Sequence, residues 1–423
     1  MVYIRQSALP NLRQYKYSGV DHSLLSQYLL KPFYNNVAIR FFPQSMAPNL
    51  ITLTGFGFVV VNLFTLLWYN PTLDQDCPGW VYVTFSIGLF LYQTFDAVDG
   101  TQARRTGQSG PLGELFDHGV DAVNTTLEVL LFAGSMNMGQ SWSTVTVLFA
   151  CLLTFYVQTW EEYHTHVLTL GAVSGPVEGI VTLCVVFALT ARLGGGHFWQ
   201  QSAMASVGLE KNLLIPELIY SLSWVQWFLS YGAGILVYNT ASSFMNVAEA
   251  RRKNGLNVPK AFAGLLPFAA TWLLVPAYLL LQPTILHQHL IPFAFFVGLI
   301  NALSVGQIIT KHLVKSKFPH TYANPLIPAL AWGVVDSLGP FLQRKIGLGW
   351  PSALSGTGER ADDDVYVVAY VFLCLGMSIG VYGSFVVDVI LTICDYLDIW
   401  CLTIKHPKGE EQKLRVQDSK KAK

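Results

Sequence analysis

Four aspartates, Asp96, Asp99, Asp117 and Asp121, lie inside two apolar stretches, within Phe95-Asp96-Ala97-Val98-Asp99-Gly100-Thr101-Gln102-Ala103-Arg104 and Gly113-Glu114-Leu115-Phe116-Asp117-His118-Gly119-Val120-Asp121. A charged side chain inside a membrane span costs roughly 2.5 to 3.5 kcal/mol on insertion scales, so such carboxylates are functional candidates by default. Positions 96, 99, 100, 103 and 104 share one helical face, and positions 113, 117 and 121 share another. Gly107, Gly110 and Pro111 between them are turn formers, which predicts an antiparallel helix pair with two carboxylates facing two. Gly100, Ala103 and Gly113 are expected to let the helices, and a substrate, approach closely. Four converging carboxylates in a poorly hydrated place call for cations. Oxygen-only ligation suits Mg²⁺, with Mn²⁺ as a substitute, and two such ions about 3.5 to 4 Å apart can clamp a phosphoryl group during transfer.

The elements that position these residues follow from composition. The 423 residues are 52% hydrophobic and 12% charged, against about a quarter charged in a soluble domain. A spanning helix needs about 20 mostly apolar residues. Candidates lie near 50–69, 79–103, 113–134, 143–162, 173–192, 225–247, 261–281, 288–310, 325–343 and 365–397, the ninth interrupted by Pro325, Pro328 and Pro340. The expected fold is therefore all-α, a polytopic transmembrane bundle of about ten spans. With a cytosolic N-terminus, the 26 Lys and Arg residues split 21 to 5 in favour of the cytosolic side, which agrees with an even span count and both termini in the cytosol. The aspartates then sit near the cytosolic helix ends, open to a water-soluble phosphate donor and, from the side, to a lipid acceptor.

Three segments follow: 1–48, a cytosolic stretch with an amphipathic interfacial helix over Leu24 to Phe42; 49–400, a transmembrane catalytic domain; and 401–423, a basic tail. The first thirty residues lack the apolar core of a cleavable signal peptide. Lys+Arg and Asp+Glu are equal at 26, so no global field favours nucleic acid. The six cysteines are scattered and read as small buried hydrophobes.

The run Asp96, Asp99, Gly100, Ala103, Arg104, Gly113, Asp117, Asp121 resembles the signature of the CDP-alcohol phosphotransferase family at all eight fixed positions. Chain length, span count and Met46-Ala47-Pro48-Asn49 are similar to the eukaryotic choline/ethanolamine phosphotransferases, and Trp160-Glu161-Glu162-Tyr163-His164-Thr165-His166 resembles a fungal member. The resemblance implies transfer of phosphocholine or phosphoethanolamine from CDP-choline or CDP-ethanolamine to diacylglycerol, with release of CMP. It also implies two Mg²⁺ ions on Asp96, Asp99, Asp117 and Asp121, and a homodimer in the endoplasmic reticulum or Golgi membrane. Another head group such as inositol, or an inactive scaffold that keeps the motif, are the alternatives.

Among individual residues, Arg104 is expected to meet a phosphate, and Glu114 the cytidine or phosphoalcohol, unless it is a first-turn acid favoured by the helix dipole. Asn49 resembles a nucleotide-contacting position, with a helix N-cap as the plain alternative. The acceptor hydroxyl must lose a proton. His118, which Asp121 at i+3 could orient, is one candidate base; Asp121, the usual candidate in simpler relatives, is the other. Trp160, Glu161, Glu162 and Tyr163 suggest a quaternary-ammonium box or an interfacial aromatic belt. His164 and His166 do not share a helical face and make a poor metal pair. Asp362, Asp363 and Asp364 read as a solvated non-cytosolic loop, and Lys420-Lys421-Ala422-Lys423 resembles a dilysine retrieval signal.

Overall fold

A computed structural model describes residues 3–15, 19–21, 23, 25–170, 176–211, 216–319, 324–354 and 363–407. Over their described residues, all ten expected spans are largely helical. In chain order, α1 (Lys31–Asn36) precedes α2 (Pro48–Tyr69), α3 (Gly79–Thr106), α4 (Pro111–Ser135), α5 (Trp142–Thr165) and α6 (Pro176–Leu193). Two short helices, α7 (Ala203–Ser206) and α8 (Glu217–Tyr220), lead to α9 (Trp224–Lys253). Then come α10 (Val258–Phe262), α11 (Leu266–Leu281), α12 (Pro283–Gln288), α13 (Leu290–Leu313), α14 (Leu326–Ile346) and α15 (Asp363–Leu397). Seven helices among the described residues are long and apolar enough to cross a membrane; α4, with four carboxylates, is not among them. The chain is a polytopic membrane helix bundle. A ribbon of two three-residue strands, β1 (Gly19–Asp21) and parallel β2 (Leu168–Leu170), is its one addition to the all-α expectation among the described residues.

The bundle is organised around α13, whose apolar window is 89% buried and which packs on α4, α15 and α5. Elsewhere α2 packs on α3 and α4, α3 on α6, and α5 on α9. Outward-facing Val61, Phe64, Trp68, Leu273, Leu280 and Leu373 are exposed, as lipid-facing surfaces require. Gly55 lets α2 approach α3: a Cβ there would lie 2.8 Å from the Cβ of Phe95, next to Asp96. The prolines expected to interrupt the ninth span do not. Pro325 is the N-cap of α14, Pro328 lies in its first turn, and Pro340 lies inside the helix, as membrane helices tolerate when neighbours re-satisfy the backbone.

The continuous interfacial helix expected over 24–42 is instead three short pieces, a π turn at Ser26–Leu30, α1, and a 3-10 turn at Ala38–Phe41. Its inner face, Leu30, Tyr34, Ala38, Ile39 and Phe42, packs on Ile51 of α2 and Val98 of α3. Tyr28, Leu29, Val37 and Phe41 point outward, so the amphipathic character holds while the helix bends to follow the bundle. Asp362, the side chains of Asp363 and Asp364, and the tail from 408 onward lie outside the described residues.

The loops at the opposite end from the aspartates are tied by Asp76. Its Oδ1 accepts from the His197 backbone N–H at 3.0 Å and from Asn137 Nδ2 at 2.8 Å, and its Oδ2 lies 2.6 Å from His197 Nδ1. Gly195, at φ +139°, passes so close that a Cβ would sit 2.5 Å from Asp76 Cγ. Burial alone would raise the Asp76 pKa, but the bonds from the His197 backbone, Asn137 and the His197 ring outweigh it and hold the carboxyl below its usual range. A depressed carboxyl contributes stability that is present above the unfolded pKa of about 3.9 and is lost as pH falls through the folded value. The pair is half exposed, so the contribution is at most about 1 kcal/mol. Thermal melts of wild type and Asp76→Asn are expected to differ at pH 7 and the gap to narrow as pH falls below about 4; a gap that does not change with pH would contradict this assignment.

Candidate active site

The chain reverses between α3 and α4 through Gly107, which caps α3 at φ +74°, and Gly110, the extended N-cap that places Pro111 in the first turn of α4. This brings Asp96 and Asp99 on α3 opposite Asp117 on α4, with one oxygen of each within 4.8 Å of the others. Thr52 of α2 donates its hydroxyl to Asp99 Oδ2. By contrast Asp96 Oδ1 and Asp117 Oδ1 are buried with no hydrogen-bond partner, and no lysine or arginine pairs with the three carboxylates among the described residues. Buried acceptors left unpaired are costly. Three converging carboxylates, two of which carry an orphaned buried oxygen, fit a hard divalent cation.

Asp121, expected as a fourth ligand, stands one turn beyond Asp117 and outside this group. Its Oδ1 accepts from the Tyr92 hydroxyl of α3. The expected orientation of His118 by Asp121 is not formed: among the described residues no hydrogen bond joins them, and the partly buried His118 ring has no partner.

The close helix approach expected at the small residues is also absent. The helix α3 leans chiefly on α2 and α6, and α4 on α13 and α2, so α3 and α4 meet sparingly. A Cβ on Gly113 would meet nothing within 4 Å, and one on Gly100 only Arg104 Nη1 at 3.6 Å. What these glycines provide is open space beside the carboxylates. Arg104 is exposed at that edge, its Nη2 donating to Thr101 Oγ1 at 3.0 Å. Asn49 is not an N-cap, since Ala47 fills that position; its Nδ2 donates to the Cys401 carbonyl at 3.1 Å, tying the start of α2 to the segment after α15.

Glu114 sits in a second group. Its Oε2 accepts from the Tyr15 hydroxyl, and it gathers with Glu162 of α5 and His312 of α13. The four-residue ammonium box does not assemble. Trp160 is fully buried and donates Nε1 to the Ala261 carbonyl at 2.9 Å, Tyr163 donates to Ser316 O at 2.6 Å, and Glu161 accepts from Asn246 at 2.7 Å. Burial excludes the belt reading for Trp160 as well. His164 stacks on Phe318 and His166 on His312, and no metal-type group among the described residues contains both.

Sequence reasoning missed the residues that hold the carboxylates and the site's rim. Thr52 and Tyr92 bind Asp99 and Asp121. Gln102 donates to the carbonyls of Pro43 and Met46 at 2.9 and 2.7 Å, and Arg105 to Phe42 O at 2.6 Å, anchoring the segment before α2. Their only signal was position: Gln102 lies between motif residues and Arg105 next to one.

Known proteins resemble the chain along nearly its full length. The pattern described as CDP-alcohol phosphatidyltransferase matches residues 45–210, which span the aspartates. An uncharacterized CDP-alcohol phosphatidyltransferase class-I family protein of Schizosaccharomyces pombe is 41% identical over 97% of this chain and 99% of its own. Cholinephosphotransferase 1 and choline/ethanolaminephosphotransferase 1 of Saccharomyces cerevisiae are each 38% identical over 96% of this chain and 99% of theirs. With the motif on two facing helices of a membrane bundle and identity sustained over the whole length, the chain belongs to the CDP-alcohol phosphatidyltransferase family.

Proposed function

We propose that the protein transfers phosphocholine, phosphoethanolamine or both from the CDP-alcohol to the hydroxyl of diacylglycerol, releasing CMP. The observation that carries this reading is the convergence of Asp96, Asp99 and Asp117 with two orphaned oxygens beside open space at Gly100 and Gly113. The full-length likeness to yeast proteins named for choline and ethanolamine phosphotransfer supports the choice of head group.

In this reading Asp96, Asp99 and Asp117 hold two Mg²⁺ ions, with Asp121 completing the set once Tyr92 yields an oxygen; Mn²⁺ substitutes. When bound, the ions supply positive charge against the donor diphosphate and the departing CMP. Arg104 meets a donor phosphate at the open edge, and Asn49 contacts the nucleotide through the amide oxygen that its bond to Cys401 leaves uncommitted. His118 takes the proton of the acceptor hydroxyl as it attacks the β-phosphorus in line, with Asp121 as the competing base. A single displacement needs no phosphoenzyme and predicts a ternary complex; parallel ping-pong kinetics would contradict it. The protein works as a homodimer in the endoplasmic reticulum or Golgi membrane, its site facing the cytosol.

The test is product identification by purified protein supplied with diacylglycerol, Mg²⁺ and either CDP-choline or CDP-ethanolamine. Phosphatidylcholine or phosphatidylethanolamine, equimolar with CMP, is expected. No phospholipid from either donor would sink the assignment.

A further inference from the structure

Glu114 in the first turn of α4, Glu162 in the last turn of α5 and His312 in the last turn of α13 come from three helices, yet offer one ligand atom each within 4.8 Å of one another. Glu114 and Glu162 are 9% and 6% exposed. The Tyr15 hydroxyl satisfies Glu114 Oε2, while Glu114 Oε1 and His312 Nδ1 are buried with no hydrogen-bond partner. Among the described residues no lysine or arginine forms an ion pair with the two carboxylates. Two buried carboxylates so close together need a shared proton or a cation. The imidazole sets the kind of cation that fits: a nitrogen donor beside two oxygens suits a transition ion rather than Mg²⁺, and three protein ligands leave a position for water.

We propose that Glu114, Glu162 and His312 bind a divalent transition-metal ion of the Zn²⁺ type, at a site separate from the aspartates. Such an ion joins the cytosolic ends of α4, α5 and α13, and through Tyr15 the N-terminal segment. It thereby fixes the first turn of α4, one turn before His118.

The probe is Zn²⁺ itself, in equilibrium dialysis of the full-length protein in lipid nanodiscs against excess Mg²⁺, with zinc X-ray absorption on the bound sample. Expected is one equivalent of Zn²⁺ that Mg²⁺ does not displace, with imidazole scattering in its shell. Glu162→Gln and His312→Ala should each weaken it by about 10-fold or more, since loss of even an outer-shell partner costs that much. Asp96→Asn should retain it. No tightly bound Zn²⁺, an oxygen-only shell in wild type, or unchanged affinity in both folded variants would overturn the proposal and leave a shared proton as the answer. The wild-type spectrum decides even if a variant fails to fold. The readout is metal content, so failure of the transferase reading, seen in lipid products, is a separate result.

Discussion

Replacing Asp117 by Asn is expected to lower CMP release by about 10³-fold while leaving the protein folded, because removing one preorganised charge from a phosphoryl-transfer site costs on the order of 10² to 10³ in rate and here also weakens the ion. The amide keeps the shape of the carboxyl and removes one of three negative charges whose oxygens lie within 4.8 Å. Like charges gathered for function destabilise the metal-free protein. Without divalent metal, Asp117→Asn should therefore melt at or above the wild-type temperature, and added Mg²⁺ should stabilise wild type more than the variant. Steady-state CMP release and metal-dependent melting together check this. A variant with wild-type turnover, or one lost through unfolding alone, would remove Asp117 from the ligand set.

The His118→Ala variant is expected to lose about 10² to 10⁴ in turnover while still binding CDP-alcohol, the usual range for loss of a general base. The ring makes no hydrogen bond among the described residues, so its removal orphans no donor or acceptor, and a drop in rate is not explained by a disturbed network. Asp121→Asn is the comparison. In the proposed reading Asp121 completes the metal set, so its loss should weaken metal and donor binding together with turnover. Donor affinity and turnover measured on both variants separate the base from the ligand. Full activity of His118→Ala would pass the role of base to Asp121.

Much of the fold was legible because lipid imposes a simple rule, an apolar run of about 20 residues per crossing. All ten runs are largely helical over their described residues, and several helices run past the expected ends; α9 continues past Val247 to Lys253 because Arg251, Arg252 and Lys253 can remain helical while reaching water. The aspartate face was legible from its spacing alone. Spacing along one helix, however, says nothing about which third helix lies alongside. It could not show that α2 supplies Thr52 to Asp99, or that Tyr92 binds Asp121 in place of His118. Trp160 near a helix end reads alike whether it meets lipid or core, and only the placement of α9 and α10 buries it against Val247 and Ala261. The grouping of Glu114 with Glu162 and His312 joins residues from three distant segments, with no local pattern to announce it.

The most direct test of the central claim, that convergent aspartates carry metal-dependent transfer of a phosphoalcohol, is CMP release by the purified protein with diacylglycerol and CDP-choline or CDP-ethanolamine, before and after chelation and then with Mg²⁺ restored. The account predicts release that chelation abolishes and Mg²⁺ restores in wild type but not in Asp117→Asn. Release that persists after complete chelation, or no release from either donor with Mg²⁺ present, would contradict it.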